Sequence, residues 1–333
     1  MKIVIDDKIP YIYDTLCLLA DNVVALRGSE ITNADVLDAD ALIVRTRTRC
    51  NEQLLKDSKV GFIATATIGF DHIDTDYLHR AGIAWTNCPG CNSGSVAQYV
   101  ECSLLLLEQQ GLCLHTSTIG IVGCGHVGSK VRAVAERLGM RVLVCDPPLG
   151  HSDFVSLSTI EQEADVITFH VPLTNGGANA TYHLADRDFF CRLSRVPYII
   201  NTSRGEVVDN DALLSAINNG LVRNAVVDVW EHEPNLNLEL LNRVFIATPH
   251  IAGYSADGKV NADNMVIEAL CQHFNLPLPE KIVAPKLPSD FKYTGDPLQL
   301  YNPLYDSNLL KAKPSDFEFL RNHYPLRRES FCR

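Results

Sequence analysis

Thr118-Ile-Gly-Ile-Val-Gly-Cys-Gly-His-Val-Gly-Ser129 is the stretch that decides the fold, because it has the composition of a strand that runs through a glycine turn into a helix. Residues 119–122 are apolar and mostly β-branched, which is typical of a buried parallel strand. The pattern Gly-x-Gly-x-x-Gly follows, and residues 129–138 repeat apolar side chains at helical spacing. A second apolar run, 142–145, ends in Asp146.

Each glycine of this turn has its own mechanical reason. Gly123 permits the tight turn, Gly125 lets the backbone approach a pyrophosphate, and Gly128 permits close packing of the helix on the strand. The helix N-terminus then presents its N–H groups and positive dipole end to phosphates. Asp146 can accept hydrogen bonds from ribose hydroxyls and would repel a 2′-phosphate, so the pattern predicts a dinucleotide site that prefers NAD to NADP.

Composition limits the class of protein. A chain of 333 residues, 46% apolar and 21% charged, predicts a soluble globular protein of two domains with a small appendage. No apolar run approaches the ~20 residues of a membrane span, and no signal-peptide pattern opens the chain. The net charge of −11 argues against nucleic acid or an anionic membrane as a partner. Eleven scattered cysteines, an odd number, favour a reducing cytoplasm.

Strands alternate with helices on both sides of the glycine turn. Residues 1–92 contain four candidate strands, at 3–5, 41–45, 60–65 and 82–86, and six more lie between residues 119 and 248. The sequence therefore predicts an α/β fold with a Rossmann-type NAD-binding domain, a flavodoxin-like α/β substrate domain and a short C-terminal appendage. The predicted bounds are 1–94 with 264–281 for the substrate domain, 95–263 for the NAD-binding domain and 282–333 for the C-terminal segment. That last segment is too short to bury its own core, so it must dock on the body or on another subunit.

Polar residues follow two strands of the first domain. If the strand at 41–45 continues, Arg45, Arg47 and Arg49 share one side and suit a phosphate or carboxylate; a solvated basic edge is the alternative for Arg47 and Arg49. We interpret Asp71-His72-Ile-Asp74 as a turn and helix N-cap rather than a metal or acid–base group. Cys88-Pro-Gly-Cys91 lacks a second ligand pair for zinc, and we interpret it as structural. No metal site is predicted.

Three segments beyond the glycine turn carry functional side chains at strand ends: 201–209, 228–235 and 248–255. Hydride transfer from a hydroxy acid needs a base for the hydroxyl proton, and His250 suits this role because an imidazole titrates near neutral pH. Glu233 would orient that imidazole, and Arg204 would hold the substrate carboxylate through two hydrogen bonds. The alternative readings are a structural cap for Arg204, a surface acid for Glu233 and a buried, satisfied histidine for His250.

These motifs resemble the D-isomer-specific 2-hydroxyacid dehydrogenases over residues 1 to about 280. The finer resemblance is to the vitamin B6 branch of that family, and it rests on Val44-Arg-Thr46, Thr65-Ala-Thr67-Ile-Gly69, Cys88-Pro-Gly-Cys-Asn92, Cys145-Asp-Pro-Pro148 and His250-Ile-Ala-Gly-Tyr254. The resemblance implies an oxidoreductase of pyridoxine biosynthesis that oxidises 4-phospho-D-erythronate to its 2-oxo acid with NAD. It also implies a homodimer formed through a C-terminal domain that is longer in the family than residues 282–333 here.

The resemblance also implies roles for single residues. The catalytic residues are Arg204, Glu233 and His250. The resemblance implies Asp146, Asp228 and Gly253 as cofactor contacts and places Val171 where the family can contact the cofactor. The other predicted cofactor contacts are Gly123, Gly125, His126, Val127 and Gly128 of the glycine turn, and Thr202. Valine has no polar side-chain group, so Val171 can contribute only backbone or packing contact. The implied substrate contacts are Thr46, Thr67 and Tyr254, to which the residue pattern adds Arg45.

Two other functions remain open at this point. In the first alternative the chemistry is the same, but the substrate is 3-phosphoglycerate, glycerate or hydroxypyruvate, or another D-2-hydroxy acid. The loops of the first domain decide between these substrates. A NAD(H)-sensing scaffold without turnover is the third reading, against which the Arg204, Glu233 and His250 set argues.

Overall fold

The computed structural model describes residues 1–330 and contains two separate parallel sheets. Contacts divide the chain into a first unit, residues 1–92 with 255–286, and a second unit, residues 93–254 with the chain from 287 onward. The strands are β1 Lys2–Asp6, β2 Asn22–Leu26, β3 Ala41–Val44, β4 Phe62–Thr65, β5 Ala84–Thr86, β6 Thr118–Val122, β7 Arg141–Cys145, β8 Val166–Phe169, β9 Tyr198–Asn201, β10 Asn224–Val227 and β11 Ile246–Ala247.

The helices α1 to α10 lie between the strands, α11 follows the last strand, and α12 to α14 lie in the C-terminal segment after residue 296. They are α1 Tyr13–Leu19, α2 Asn33–Val36, α3 Glu52–Leu55, α4 Thr75–Ala81, α5 Ser93–Gln109, α6 His126–Arg137, α7 Leu157–Glu163, α8 Arg187–Cys191, α9 Asn210–Asn218, α10 Leu238–Arg243, α11 Ala256–Phe274, α12 Pro297–Leu300, α13 Pro303–Ala312 and α14 Phe317–Asn322. None of the helices within residues 1–330 is long and apolar enough to cross a membrane.

The first unit is built on a five-stranded sheet of order β2-β1-β3-β4-β5 with every neighbouring pair parallel. This is the flavodoxin-like order 2-1-3-4-5, so the predicted fold class is confirmed for this unit. Strand β2 was not predicted from the sequence, because it lies at the sheet edge, where none of its five residues is fully buried. A half-exposed edge strand lacks the continuous apolar run that marks β3 and β4.

The loop after β3 does not extend that strand. The strand ends at Val44, and a turn follows in which the Thr48 amide donates to the Arg45 carbonyl at 3.4 Å. The strand does not continue past residue 44, so the condition under which Arg45, Arg47 and Arg49 would share one side of it is not met. The buried Thr48 hydroxyl donates to the Gly28 carbonyl at 2.8 Å and so holds the chain in the turn.

The interpretation of residues 71–74 as a turn and helix cap is confirmed. Asp74 caps α4 by accepting a hydrogen bond from the Tyr77 amide at 2.9 Å.

Helix α11 returns the chain to the first unit. Ser255 caps its N-terminus, and Ala262, Val266 and Leu270 are buried in the same core cluster as Phe62 of β4. In the structure the chain rejoins the first unit at residue 255, whereas the sequence predicted residue 264. Helix α11 is continuous, so the boundary falls at its first turn. Which unit binds substrate stays a prediction.

The second unit has a six-stranded parallel sheet of order β11-β10-β9-β8-β6-β7. The chain order reverses at β6, so the carboxyl ends of β6 and β8 form the crevice in which open α/β sheets bind ligands. All six strands match the six runs expected from the sequence, and the Rossmann-type prediction is confirmed.

From residue 287 onward the C-terminal segment docks on the second unit. Leu310 and Phe317 are buried in one of its core clusters, and the Ser307 hydroxyl accepts a hydrogen bond from the Ala247 amide of β11 at 3.0 Å. Near the end of the described chain, Arg327 is 3% exposed and stacks its guanidinium 3.6 Å from the centroid of the Tyr301 ring. The segment obtains from the body the core that it cannot form alone.

A buried acid in α11 generates a stability prediction. Asp263 is 1% exposed, and its Oδ2 has no hydrogen-bond partner within residues 1–330. Burial raises the pKa of Asp263 to about 8, although the charge of Lys259 acts to lower it. A carboxyl whose pKa is higher folded than unfolded stabilises the fold at low pH, and this contribution is lost as pH rises from about 4 through about 8.

We therefore expect the free energy of unfolding of Asp263→Asn, relative to that of the natural chain, to increase as pH rises from about 5 to about 9. Urea unfolding followed by ¹⁹F NMR of 5-fluorotryptophan separates the first unit, which contains Trp85, from the second, which contains Trp230. Asp57→Asn, at an exposed position, is the control and should show a constant difference. A difference for Asp263→Asn that does not change with pH would contradict the assignment.

Candidate active site

The structure pairs two of the three predicted catalytic side chains. Nδ1 of His250 lies 2.9 Å from Oε2 and 3.1 Å from Oε1 of Glu233. Both residues stand on loops at the carboxyl edge of the second unit's sheet, Glu233 after β10 and His250 after β11. The side chain of His250 is 30% exposed and that of Glu233 is 19% exposed, so the imidazole is reachable while its carboxylate partner is mostly covered.

The groups around Glu233 keep its carboxyl group ionised and so decide which nitrogen of His250 carries the proton. Burial by itself raises the pKa of Glu233, but the hydrogen bond to His250, the charge of that ring when it is protonated, the Trp230 amide and the charge of Arg321 together hold that pKa below its ordinary value. An ionised carboxylate only accepts hydrogen bonds, so Nδ1 must carry the proton that joins the pair. Nε2 is then the unprotonated nitrogen of the neutral ring, and it can accept a proton from a substrate hydroxyl.

Trp230 joins the segments that carry the three catalytic candidates. Its amide donates to Oε1 of Glu233 at 3.0 Å, and its indole N–H donates to the Thr248 carbonyl at 3.0 Å. On the other side Gly205 lies so close that a Cβ there would stand 2.1 Å from the Trp230 carbonyl oxygen. Only glycine permits this approach, and it brings the backbone of Arg204 against the loop of Glu233.

Arg204 has a guanidinium that is available for a ligand. It donates to the neighbouring Ser203 carbonyl at 2.8 Å and makes no ion pair with any residue in 1–330. The side chain is half-buried beside the end of β9. A guanidinium without a carboxylate partner is suited to hold a substrate carboxylate through two hydrogen bonds.

Asp228 fixes the backbone of the His250 loop. It is completely buried, and its Oδ1 and Oδ2 accept hydrogen bonds from the amides of Ile251 and Ala252 at 2.8 and 2.9 Å. Oδ1 also accepts from the Thr248 hydroxyl at 2.6 Å, and the Asp228 carbonyl accepts from the His250 amide at 2.8 Å. The structure thus shows the Asp228 carboxylate hydrogen-bonded to the loop after β11. Its predicted contact with NAD stays a prediction.

The glycine turn has the shape that a dinucleotide requires. Gly123 has a φ of +93°, and a Cβ at Gly128 would stand 2.0 Å from the Gly123 carbonyl oxygen, so both positions need glycine. A Cβ at Gly125 would meet no atom within 4 Å, which leaves open space over the turn. Helix α6 begins directly after Gly125 with no side-chain cap in the described chain, so its first N–H groups can bind phosphate.

The remaining predicted cofactor residues lie beside this turn or in other loops of the second unit. Asp146 follows β7, and its Oδ2 accepts a hydrogen bond from the Cys124 amide inside the turn at 2.7 Å. A Cβ at Gly123 would also meet Cγ1 of Val171 at 2.8 Å, so that valine packs on the turn. Four further predicted cofactor residues are accessible to solvent. His126 is exposed, and Val127, Thr202 and Gly253 are half-buried.

His170 is a polar residue at this edge that the sequence analysis did not select. It follows β8, and its ring nitrogens lie 2.9 Å from the Thr168 hydroxyl and 3.3 Å from the Thr202 hydroxyl. Burial lowers the pKa of His170 to about 3, so the ring is neutral at physiological pH. A neutral ring bonded to Thr202 fixes the position of that hydroxyl at this edge of the sheet.

Three predicted substrate residues belong to the first unit. Nη1 of Arg45 donates to the Lys8 carbonyl at 2.9 Å, and Thr46 is exposed in the turn after β3. The Thr67 hydroxyl lies 2.6 Å from that of Thr65, which in turn is 3.0 Å from Nε2 of His72. These contacts place a group of hydroxyls at the carboxyl end of β4, where ligands of open α/β sheets bind.

The fourth predicted substrate residue, Tyr254, lies in the second unit. Its hydroxyl accepts a hydrogen bond from Nε of Arg321 at 3.2 Å. Arg321 was missed by the sequence analysis because it lies in the proline-rich tail, where no motif or periodicity marks a single arginine. Within residues 1–330 no group of three His, Cys, Asp or Glu side chains is arranged to hold a metal ion.

Comparisons with known proteins identify relatives of this chain. Residues 106–252 match the family model described as the D-isomer specific 2-hydroxyacid dehydrogenase, NAD binding domain. The erythronate-4-phosphate dehydrogenase of Bacteroides thetaiotaomicron is 55% identical over 99% of this chain and 97% of that protein. The enzyme of that name from Edwardsiella ictaluri is 43% identical, over 99% of this chain and 93% of that protein.

Solved structures share the fold. The NAD⁺-bound 3-phosphoglycerate dehydrogenase of Entamoeba histolytica matches with a TM-score of 0.69 and 27% identity, over 86% of this chain and 99% of that chain. The D-lactate dehydrogenase of Aquifex aeolicus, in complex with NAD and lactic acid, matches with a TM-score of 0.67 and 25% identity, over 82% of this chain and 95% of that chain.

The glycine turn provides a matched pair of substitutions. We expect Gly128→Ala to destabilise the second unit by on the order of 1–3 kcal/mol, because the added methyl group meets the Gly123 carbonyl. Gly125→Ala should leave the melting temperature unchanged and weaken NADH binding by about tenfold or more, because the methyl group enters the space that a pyrophosphate needs. Thermal unfolding without cofactor and fluorescence titration with NADH measure the two effects. Binding by Gly125→Ala that equals the natural chain would contradict the cofactor position.

Proposed function

The chain belongs to the D-isomer-specific 2-hydroxyacid dehydrogenase family and, within it, to the erythronate-4-phosphate dehydrogenases, and from that premise we propose that it oxidises 4-phospho-D-erythronate to the corresponding 2-oxo acid. It is an NAD-dependent dehydrogenase with a Rossmann-type cofactor domain. The observation that carries the proposal is the Glu233–His250 pair, because a reachable imidazole oriented by a covered carboxylate is what proton abstraction from a hydroxyl requires.

In the proposed reaction His250 is the general base. Its unprotonated Nε2 takes the proton of the C2 hydroxyl while the C2 hydride departs, and the C2–O bond becomes a carbonyl. NAD, when bound, supplies the acceptor for that hydride. Glu233 keeps the ring in the correct orientation and stabilises the imidazolium that forms. In the reverse direction the same imidazolium returns the proton.

Arg204 is assigned to the substrate carboxylate and the C2 oxygen. Its guanidinium, which makes no ion pair within residues 1–330, supports this role because two parallel N–H groups match a carboxylate and fix the orientation of C2. We assign Thr46, Thr67 and Tyr254 to the remainder of the substrate, and Arg45 to its phosphate. We expect Arg45→Gln to raise KM for the substrate and to leave KM for NAD unchanged. An unchanged KM for the substrate would contradict the phosphate assignment.

For the cofactor we assign the pyrophosphate to Gly123, Gly125 and Gly128 with the amides of His126 and Val127. Asp146 is assigned to the adenosine ribose, and Val171, Thr202, Asp228 and Gly253 complete the contacts. The open space over Gly125 and the uncapped start of α6 support this assignment. They match the requirements of a bound diphosphate.

The biological setting is also a proposal. The substrate places the reaction in pyridoxal 5′-phosphate biosynthesis, and the scattered cysteines support a cytoplasmic location. A homodimer formed through the C-terminal segment is supported by its exposed apolar side chains, Tyr305, Leu309 and Phe319, which are 72%, 55% and 59% exposed. A monomer in sedimentation velocity would contradict the dimer.

A substrate panel tests the proposed function. The natural chain should reduce NAD, measured by absorbance at about 340 nm, with 4-phospho-D-erythronate preferred by kcat/KM over 3-phosphoglycerate, glycerate and D-lactate. We expect His250→Ala to lower kcat by about 10²–10⁴-fold, because it removes the only proposed base. Glu233→Gln should lower kcat less, since the imidazole remains but loses its ionic partner.

The other outcomes are distinct. A preference for 3-phosphoglycerate or glycerate would keep the chemistry and change the substrate. Tight NADH binding without oxidation of any hydroxy acid would favour the NAD(H)-sensing scaffold. Turnover by His250→Ala at the natural rate would contradict the assigned base, and Arg195→Gln, at an exposed ion pair with Asp165, serves as the control for handling and folding.

A further inference from the structure

An arginine from the C-terminal segment lies against the proposed acid–base pair. Nη1 of Arg321, on α14, stands 3.9 Å from Oε2 of Glu233, the oxygen that pairs with Nδ1 of His250 at 2.9 Å. The same guanidinium donates through Nε to the Tyr254 hydroxyl at 3.2 Å. The side chain of Arg321 is only 21% exposed, so both interactions are shielded from water.

The charged and titratable groups around Arg321 come from three segments of the second unit. Glu233 approaches from the loop after β10, Tyr254 from the loop after β11, and Glu318 from α14 itself, while His250 interacts with the same carboxylate of Glu233. The guanidinium therefore faces one carboxylate of the proposed site and one carboxylate of its own helix.

The segment that carries Arg321 is anchored on both sides. Phe317, one turn earlier, is 1% exposed in the core of the second unit. After α14, Nη1 of Arg327 donates to the carbonyls of Ile251 and Ala252, both at 3.3 Å. Those two residues are the ones whose amides bind Asp228, so the loop of His250 is held by an acid on one side and by the C-terminal segment on the other.

We propose that Arg321 is a positioning residue for the proposed dehydrogenation, one that holds Glu233 as a carboxylate aligned on Nδ1 of His250 and fixes the hydroxyl of Tyr254. The C-terminal segment of this chain thereby completes the site of the same chain, apart from any part it has in a dimer. This inference rests on the proposed function for its meaning, because it is the proposed base that Arg321 supports through Glu233.

The direction of the effect follows from charge. Burial of Glu233 raises the pKa of its carboxyl, whereas the positive charge of Arg321 is one of the groups that lower it. Without that charge burial is opposed less, so the pKa of Glu233 rises and the carboxyl is protonated at a higher pH. A protonated Glu233 no longer stabilises an imidazolium, so activity is lost first at the acidic end of the pH range.

Arg321→Gln tests the proposal against Arg321→Lys and the control Arg195→Gln. We expect Arg321→Gln to lower kcat by about tenfold or more, with the acidic limb of the kcat/KM profile moved to higher pH and KM for NAD within about twofold of the natural value. Arg321→Lys, which keeps the charge, should recover part of kcat and return the acidic limb toward its natural position. Natural kcat in Arg321→Gln, or a loss that is equal at every pH and is not recovered by lysine, would overturn the proposal.

A second measurement needs no substrate. In chain labelled with ¹³C at the glutamate carboxyls, the Glu233 resonance is identified by its loss in Glu233→Gln. It should titrate at higher pH in Arg321→Gln than in the natural chain, and an unchanged titration would overturn the proposal. If the natural chain oxidises none of the tested acids, the proposed function fails, while this titration still decides whether Arg321 acts on Glu233.

Discussion

The buried carboxyl group of Asp228 holds the backbone from which the imidazole of His250 projects, and the rest of the proposed site depends on it. Removing a carboxyl group from water is unfavourable unless its oxygens are hydrogen-bonded, and here they accept from two amides and a hydroxyl. His250 has a φ of 56°, a left-handed conformation that few residues other than glycine adopt. The bonds to Asp228 offset that strain and set the direction in which the ring leaves the chain.

From this fixed backbone the site is assembled by short-range contacts between loops at one sheet edge. Glu233 meets Nδ1 of the imidazole, and the amide of Trp230 holds one oxygen of Glu233. Gly205 lets the Arg204 loop lie against Trp230 because no Cβ fills the gap. The parallel sheet brings these loops together, since the strands that precede them all end at the same edge.

The fold and the proposed catalytic residues were predictable from local sequence because their signals are local. Gly123, Gly125, Gly128 and Asp146 form a pattern of fixed spacing, and buried parallel strands read as apolar runs. The half-exposed edge strand β2 has no such run. The turn after β3 depends on a distant carbonyl, that of Gly28, and the arginine at 321 acquires its meaning only from packing against residues some 70–90 positions earlier. Contacts of that kind leave no periodic trace, so the structure was needed to find them.

The central claim is that His250 presents an unprotonated Nε2 because Glu233 holds the proton of the ring on Nδ1. ¹⁵N NMR of the histidine-labelled natural chain, with His250 identified by its absence in His250→Ala, measures this tautomer directly without substrate or cofactor. We predict that the neutral ring carries its proton on Nδ1 and that Glu233→Gln reduces this preference. A neutral ring with its proton on Nε2 would contradict the account, because His250 could not then accept the hydroxyl proton.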